Sequence, residues 1–196
     1  MKTLLIALAL SAALFASPSA SSHEPLKIKP LAEKKVAELP AGDLWWRIEN
    51  VDSLTAAQAA TGEWGLAAES NGKVWLFTLG AKGGSSGKGK KVAEVGPIAR
   101  PQASQFLLRI NEATGAPGSV TSVHSHPGSE AFYVLAGEQS IRHPKGTLTV
   151  RPGEAEAGQG GDVAMQVSSS GSSDLHALVM FVVDAGRPFS TPAKLP

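Results

Sequence analysis

Short apolar runs separated by glycine- and proline-bearing turns recur along the second half of the chain. From residue 104 onward they come at regular spacing, and each has the length of a single strand. Such a pattern indicates an all-β protein, built as an antiparallel sandwich or barrel. The predicted strands are residues 105–110, 120–126, 131–136, 139–142, 147–150, 163–167 and 175–183.

A hairpin and a short helix are predicted in the first half of the chain. Two strand-like runs, 64–70 and 73–79, flank Asn71-Gly72, and such a dipeptide favours the tight turn of a β-hairpin. Ser53 is a suitable N-cap for a helix over residues 54–60, since its hydroxyl can accept from a free backbone N–H. Ahead of these elements, residues 24–34 contain lysine and proline, and we expect them to form an arm.

The first residues have the pattern of a secretory signal peptide. Met1-Lys2 supplies the positive start, an apolar run follows over 3–16, and small residues occupy 17–22. A run of about fourteen apolar residues is too short to span a bilayer comfortably. We therefore expect export to the periplasm or the medium. The predicted organisation is a signal peptide at 1–20, an N-terminal extension with a short helix at 21–62, a β-barrel at 63–186 and a loose tail at 187–196.

Charge and cysteine content narrow the classes of function. The 196 residues include 18 basic and 17 acidic side chains, so no strong field favours nucleic acid or an anionic membrane. Cysteine is absent, which excludes disulfides and limits any metal site to nitrogen, oxygen and thioether donors. The expected partner is a small-molecule ligand or substrate, and a homodimer is left open.

One stretch combines two imidazoles with a carboxylate. His124 and His126 are two residues apart, so on a strand they share a face, about 7 Å from each other. Pro127-Gly128 then turns the chain, and Glu130 opens the next run. Imidazole nitrogen and carboxylate oxygen bind borderline divalent metals, and three protein ligands leave positions open for water or substrate.

The spacing G-x5-H-x-H-x3-E-x6-G, from Gly118 to Gly137, resembles the first signature of the cupin superfamily. The resemblance implies a cupin-type antiparallel β-barrel, also called a double-stranded β-helix or jelly roll. It also implies that His124, His126 and Glu130 hold one divalent ion, which is iron, manganese, zinc, nickel or copper. Tyr133 is expected to line the same pocket.

The second cupin signature, which normally supplies a further histidine, is degraded. Glycines at 153, 158, 160 and 161 hold the corresponding region, but no histidine follows them. Met165 occupies the place of the missing ligand, or Gln166 if the register slips by one. Met165 is equally explained as a core residue. His176 is a third candidate, either as a ligand or as a buried residue that supports the site.

Two functions remain open at this stage. Cupin relatives include oxygenases, isomerases and decarboxylases as well as pure binding proteins, so the resemblance does not choose a reaction. The first reading is an exported metal-binding protein that binds or acts on a small molecule. The alternative is a non-catalytic module that binds a sugar or a carboxylate.

Overall fold

The computed structural model describes residues 24–196, and the predicted signal peptide lies outside this range. The described chain forms antiparallel sheets and one short helix, α1 (Leu54–Ala59). No helix within it has the length and apolar character needed to cross a membrane. The strands are β1 (Lys27–Val36), β2 (Leu44–Val51), β3 (Gly65–Ser70), β4 (Lys73–Gly80), β5 (Lys90–Ile98), β6 (Phe106–Gly115), β7 (His124–Ser125), β8 (Gly128–Ala136), β9 (Gln139–His143), β10 (Gly146–Val150), β11 (Ala155–Ala157), β12 (Gln166–Ser169), β13 (Leu175–Asp184) and β14 (Thr191–Pro192).

A five-stranded sheet in the order β1-β6-β13-β8-β11 forms the centre of the molecule. All of its pairings are antiparallel. The remaining strands form a four-stranded sheet, β3-β4-β2-β5, a three-stranded sheet, β10-β9-β12, and the short pair β14-β7. This architecture confirms the predicted all-β, antiparallel fold class.

The central sheet buries both of its faces. On one face, Leu178 and Met180 of β13 pack with Trp46 of the four-stranded sheet. On the other face, Val179 and Phe181 pack with residues of the three-stranded sheet. Strand β13 therefore has no solvated face, which explains why its sequence is apolar almost throughout rather than alternating.

The two local predictions in the first half of the chain are confirmed. Strands β3 and β4 form a hairpin around Asn71 and Gly72, whose φ angles are 52° and 66°. Positive φ at both central residues is the requirement of a type I′ turn. The Ser53 hydroxyl accepts a 3.2 Å hydrogen bond from the N–H of Ala56 and so caps α1.

The predicted N-terminal arm is instead a strand of the central sheet. Residues 27–36 form β1, which pairs with β6 over its whole length. Strand β2, also expected outside the barrel, pairs with both β4 and β5. The structure thus has no break at residue 62, because strands on both sides of that position share one sheet.

The C-terminal residues also differ from the prediction of a loose tail. Thr191 pairs with Ser125, and the N–H of Ala193 donates a 3.1 Å hydrogen bond to the carbonyl of Val123. Arg187 forms an ion pair with Asp162 at 2.6 Å. A sequence rich in proline gives no strand signal, yet backbone pairing with β7 holds this segment in place.

Candidate metal and ligand site

A cavity of about 370 Å³ opens on the face of the central sheet that is turned towards the three-stranded sheet. Its wall includes all three predicted ligands, His124, His126 and Glu130. Apolar side chains from β8, β12 and β13 make up much of the remainder. The cavity lies within the 300–1,000 Å³ typical of small-molecule sites.

Backbone carbonyl groups fix the orientation of both histidine rings. The Nδ1 of His124 donates to the carbonyl of Ser122 at 2.8 Å, and that of His126 donates to the carbonyl of Phe189 at 2.6 Å. A carbonyl can only accept, so the proton of each neutral ring is on Nδ1 and the lone pair is on Nε2. This is the arrangement in which histidines bind metals. The two ring centroids lie 4.9 Å apart.

Glu130 is a buried carboxyl group on β8. It lies opposite Phe181 of β13, and both residues line the cavity. Its Oε1 has no hydrogen-bond partner among the described residues. Burial raises the pKa of Glu130 to about 8, because the charged form loses its hydration. A cation bound beside this carboxyl group would stabilise its ionised form and lower its pKa again.

His126 is neutral at physiological pH. Burial lowers its pKa to about 4, against the opposing effect of the hydrogen bond to Phe189. A neutral imidazole is the form that binds a metal ion. Together with the raised pKa of Glu130, this leaves the buried part of the site without charge at neutral pH.

The glycines after residue 153 shape the space beside Glu130. The N–H of Gly158 donates a 2.8 Å hydrogen bond to the carbonyl of Glu130. A Cβ at residue 158 would lie 2.7 Å from Cγ of Glu130 and 3.0 Å from its carbonyl oxygen. The glycines that mark the degraded second signature therefore allow this segment to pack directly against the predicted ligand.

Two imidazoles and a carboxylate are suitable ligands for a divalent ion, but the distances between these side chains are too long for shared coordination. Within residues 24–196, no three histidine, aspartate or glutamate side chains lie close enough together to hold one ion. His124, His126 and Glu130 share a wall, but they do not converge on one point. Coordination by all three requires them to come closer together than they lie in this structure.

None of the three candidates for the missing fourth ligand, Met165, Gln166 and His176, lies on the cavity wall. Met165 is buried in the core between the central and three-stranded sheets, and its backbone exchanges hydrogen bonds of 2.8 and 2.9 Å with His124. The side-chain amide of Gln166 donates to the carbonyl of Thr121 at 3.1 Å. Met165 is thus placed as a packing residue, and Gln166 as a link between segments.

Tyr133 and His176 lie on the opposite face of the central sheet. Tyr133 packs against Trp75, with ring centroids 6.0 Å apart, so the prediction that it lines the cavity is wrong. Its neighbour Phe132 points into the cavity in its place, since successive strand residues face opposite ways. The Nε2 of His176 contacts Glu112 at 2.8 Å and Ser70 at 3.1 Å, which links the central and four-stranded sheets.

Several residues of the site have no signal in the motif. Gln139 and Asn111 are both buried and line the cavity. Phe189, in the segment before β14, covers part of it, with its ring 4.7 Å from that of His126. For Gln139, the signal in the sequence is a polar residue at a position of β9 that alternates with the buried Ile141. For Phe189, nothing in the sequence indicates the approach to His126.

Comparison with known proteins gives partial matches in structure. No protein-family model matches the chain, and no curated protein matches its sequence. A cupin-like protein from Thermotoga maritima is 15% identical, with a TM-score of 0.40, over 45% of this chain and 65% of that one. The polyketide cyclase RemF from Streptomyces resistomycificus is 24% identical, with a TM-score of 0.38, over 45% and 62%.

A double-stranded β-helix protein from Klebsiella pneumoniae is similar at 18% identity and a TM-score of 0.38, over 44% of this chain and 75% of that one. The chain spans 65% or less of the length of the first three solved structures that it matches. The matched proteins include one described as cupin-like and one with a double-stranded β-helix domain. They leave the activity of this chain open.

Proposed function

We propose that this chain, whose segment from Gly118 to Gly137 resembles the first cupin signature, is an exported protein of cupin fold that binds one divalent metal ion and a small molecule. His124, His126 and Glu130 would hold the ion after moving closer together than they lie in this structure. The observation that carries the proposal is the state of these side chains. Both histidines have Nδ1 tied to a carbonyl, and Glu130 is a buried carboxyl group whose Oε1 has no partner among the described residues.

A bound divalent ion would supply a Lewis acid, or a centre for dioxygen if the ion is iron. The protein's own contribution is to exclude water and to orient the ligand against the apolar wall. Among the described residues that line the cavity, no further side chain is a clear general acid or base once the two histidines and Glu130 are assigned to the ion. Binding therefore forms the core of the proposal, and an oxygenase, isomerase or decarboxylase reaction is its catalytic extension.

Non-catalytic capture of a small ligand is the second candidate. The cavity favours it because its wall is mainly apolar, and a few polar groups are enough to orient a ligand. Among the described residues that line the cavity, none is lysine or arginine. A carboxylate ligand would thus depend on the metal ion for its counter-charge, whereas a sugar would not.

Metal analysis of the protein and of matched variants tests the proposal. We expect near-stoichiometric metal in the wild-type chain and at least tenfold weaker binding in His124→Ala and Glu130→Gln, since ligand loss commonly costs that much or more. His143→Ala and Glu156→Ala are the controls, because these residues lie away from the cavity. Unchanged affinity in both ligand variants, or no metal on the wild type, would refute the proposal.

Export is tested separately. The full chain is expressed in a bacterial host, and the cells are fractionated. We expect the protein in the periplasm or medium, with N-terminal sequencing showing cleavage at a position within residues 17–22. An intact N terminus in the cytoplasm would contradict it.

A further inference from the structure

Gln139, the first residue of β9, is completely buried and lines the cavity. Neither its Nε2 nor its Oε1 has a hydrogen-bond partner among the described residues. A buried amide without partners is costly, and a native structure rarely keeps one without a reason. Gln166 is a contrast, because its side-chain amide donates a hydrogen bond to the carbonyl of Thr121.

The surroundings of Gln139 restrict what its amide can receive. Phe132, Phe181 and Phe189 contribute rings to the same cavity, so the body of a ligand would contact apolar surface. The other buried amide, Asn111, already accepts a 2.9 Å hydrogen bond from Arg109 through its Oδ1. With no lysine or arginine among the described lining residues, a free anion would lack a counter-charge in the metal-free protein.

A primary amide presents one donor group and one acceptor side by side. The group that satisfies both at once has the same pair in reverse order, as in a carboxamide or a protonated carboxylic acid. Each hydrogen bond made there would replace an unsatisfied buried group rather than a hydrated one, so its loss has a larger effect on affinity than at an exposed site.

We propose that Gln139 is a ligand-binding residue that receives the carboxamide-type group of a small molecule whose ring-sized apolar body packs against the cavity phenylalanines. This deepens the proposed function and rests on it in one respect, namely that the cavity takes a small molecule. It does not require the metal ion.

Benzamide and toluene are the probes, since they share a ring and differ in the amide. The full chain is freed of metal with a chelator and titrated with each probe, and binding is followed by protein-observed NMR. We expect benzamide to bind the wild type at millimolar or lower concentration and about tenfold more tightly than toluene. Gln139→Leu should weaken benzamide binding by about tenfold and leave toluene binding unchanged or improved. Gln166→Leu is the matched control and should leave the affinity for benzamide unchanged.

Stability supplies a second measurement. Because the amide of Gln139 has no partner, Gln139→Leu should unfold at the same or a higher urea concentration than the wild type. If both Gln139→Leu and the more flexible Gln139→Met are less stable than the wild type, the amide is a structural group and the proposal is overturned. Equal benzamide affinity in wild type and Gln139→Leu would also overturn it, as would failure of benzamide to bind the wild type at about 10 mM.

The failures of the two proposals are distinguishable. If His124→Ala and Glu130→Gln keep their metal affinity while Gln139→Leu loses benzamide, the cavity binds a ligand but the metal assignment is wrong. If the metal variants behave as expected and benzamide does not bind, the metal site is supported and the role of Gln139 is refuted.

Discussion

His126 and Phe189 are joined by a 2.6 Å hydrogen bond from the imidazole Nδ1 to the backbone carbonyl, and their rings lie 4.7 Å apart. One contact thus fixes a predicted metal ligand and anchors the C-terminal segment. The ring of Phe189 also lies 4.9 Å from that of Phe181 and 4.3 Å from the guanidinium of Arg109. The segment before β14 is therefore part of the site.

Removal of this ring should loosen the C-terminal segment. We expect Phe189→Ala to lower the free energy of unfolding by about 1–2 kcal/mol, because the aromatic contacts and buried area are lost. Amide exchange at Thr191 and Ala193 should accelerate, since their strand is no longer anchored. Exchange measured by mass spectrometry checks this. Lys194→Ala, at an exposed position, should leave both quantities unchanged, and unchanged exchange in Phe189→Ala would contradict the anchoring role.

Glu130 should make the metal-free protein less stable as the pH rises. Its carboxyl group has a pKa of about 8 in the folded chain and an ordinary value of 4.5. Between these values the folded protein holds a proton that the unfolded chain has released. The free energy of unfolding therefore falls with increasing pH, by at most about 1.4 kcal/mol per pH unit.

Urea titrations of wild type and Glu130→Gln from pH 4.5 to 8 isolate this effect. The pKa of His126 is lowered from 6.5 to about 4 in the folded protein. Its contribution to the free energy of unfolding therefore increases with pH between those values, opposite to that of Glu130. His126 has this effect in both proteins, so the difference between their free energies of unfolding measures the effect of Glu130. We expect Glu130→Gln to gain stability over the wild type as the pH rises. Parallel curves would mean that Glu130 is ionised in the folded protein.

Gly158 should not tolerate a side chain. In Gly158→Ala the new methyl group would press on Cγ and on the carbonyl of Glu130, which should lower the free energy of unfolding by about 1–3 kcal/mol. Gly80→Ala is the control, since a Cβ there meets nothing within 4 Å. Urea denaturation of both variants measures the difference. Equal stability would show that the segment moves aside without cost.

Met165→Leu should change packing alone. Met165 is buried in a core and does not line the cavity, so we expect a loss of less than about 1.5 kcal/mol and the same metal content and preference as the wild type. Metal analysis after loading with iron, manganese, zinc, nickel and copper in competition checks this. An altered preference would assign the thioether to the ion.

Features set by neighbouring residues could be predicted from the sequence. The Asn71-Gly72 turn and the Ser53 cap depend on the conformations open to two or three residues, and both occur as predicted. His124, His126 and Glu130 share one cavity wall, as the motif predicts. Strand alternation explains only part of this, because β7 covers His124–Ser125 and ends before His126.

Long-range pairing could not be read in the same way. Strand β1 pairs with β6, about 75 residues further along, and its lysines and its proline, Pro30, are typical of a loop. Tyr133 is a different case, because it lies three residues after Glu130 on the same strand. Alternation alone places these two side chains on opposite faces, so the prediction that both line the cavity conflicts with a local rule. Gln139 lies outside the motif, and its place on the cavity wall becomes evident only when the three-stranded sheet that contains β9 is packed against the central sheet.

The position of β13 also has a consequence for how the molecule forms. This strand pairs with β6 on one side and β8 on the other, and it contributes side chains to both main cores. More than 170 residues precede it. A nascent chain thus lacks the central strand of this sheet until Asp184 has been synthesised, and the order β1-β6-β13-β8-β11 cannot be completed before then.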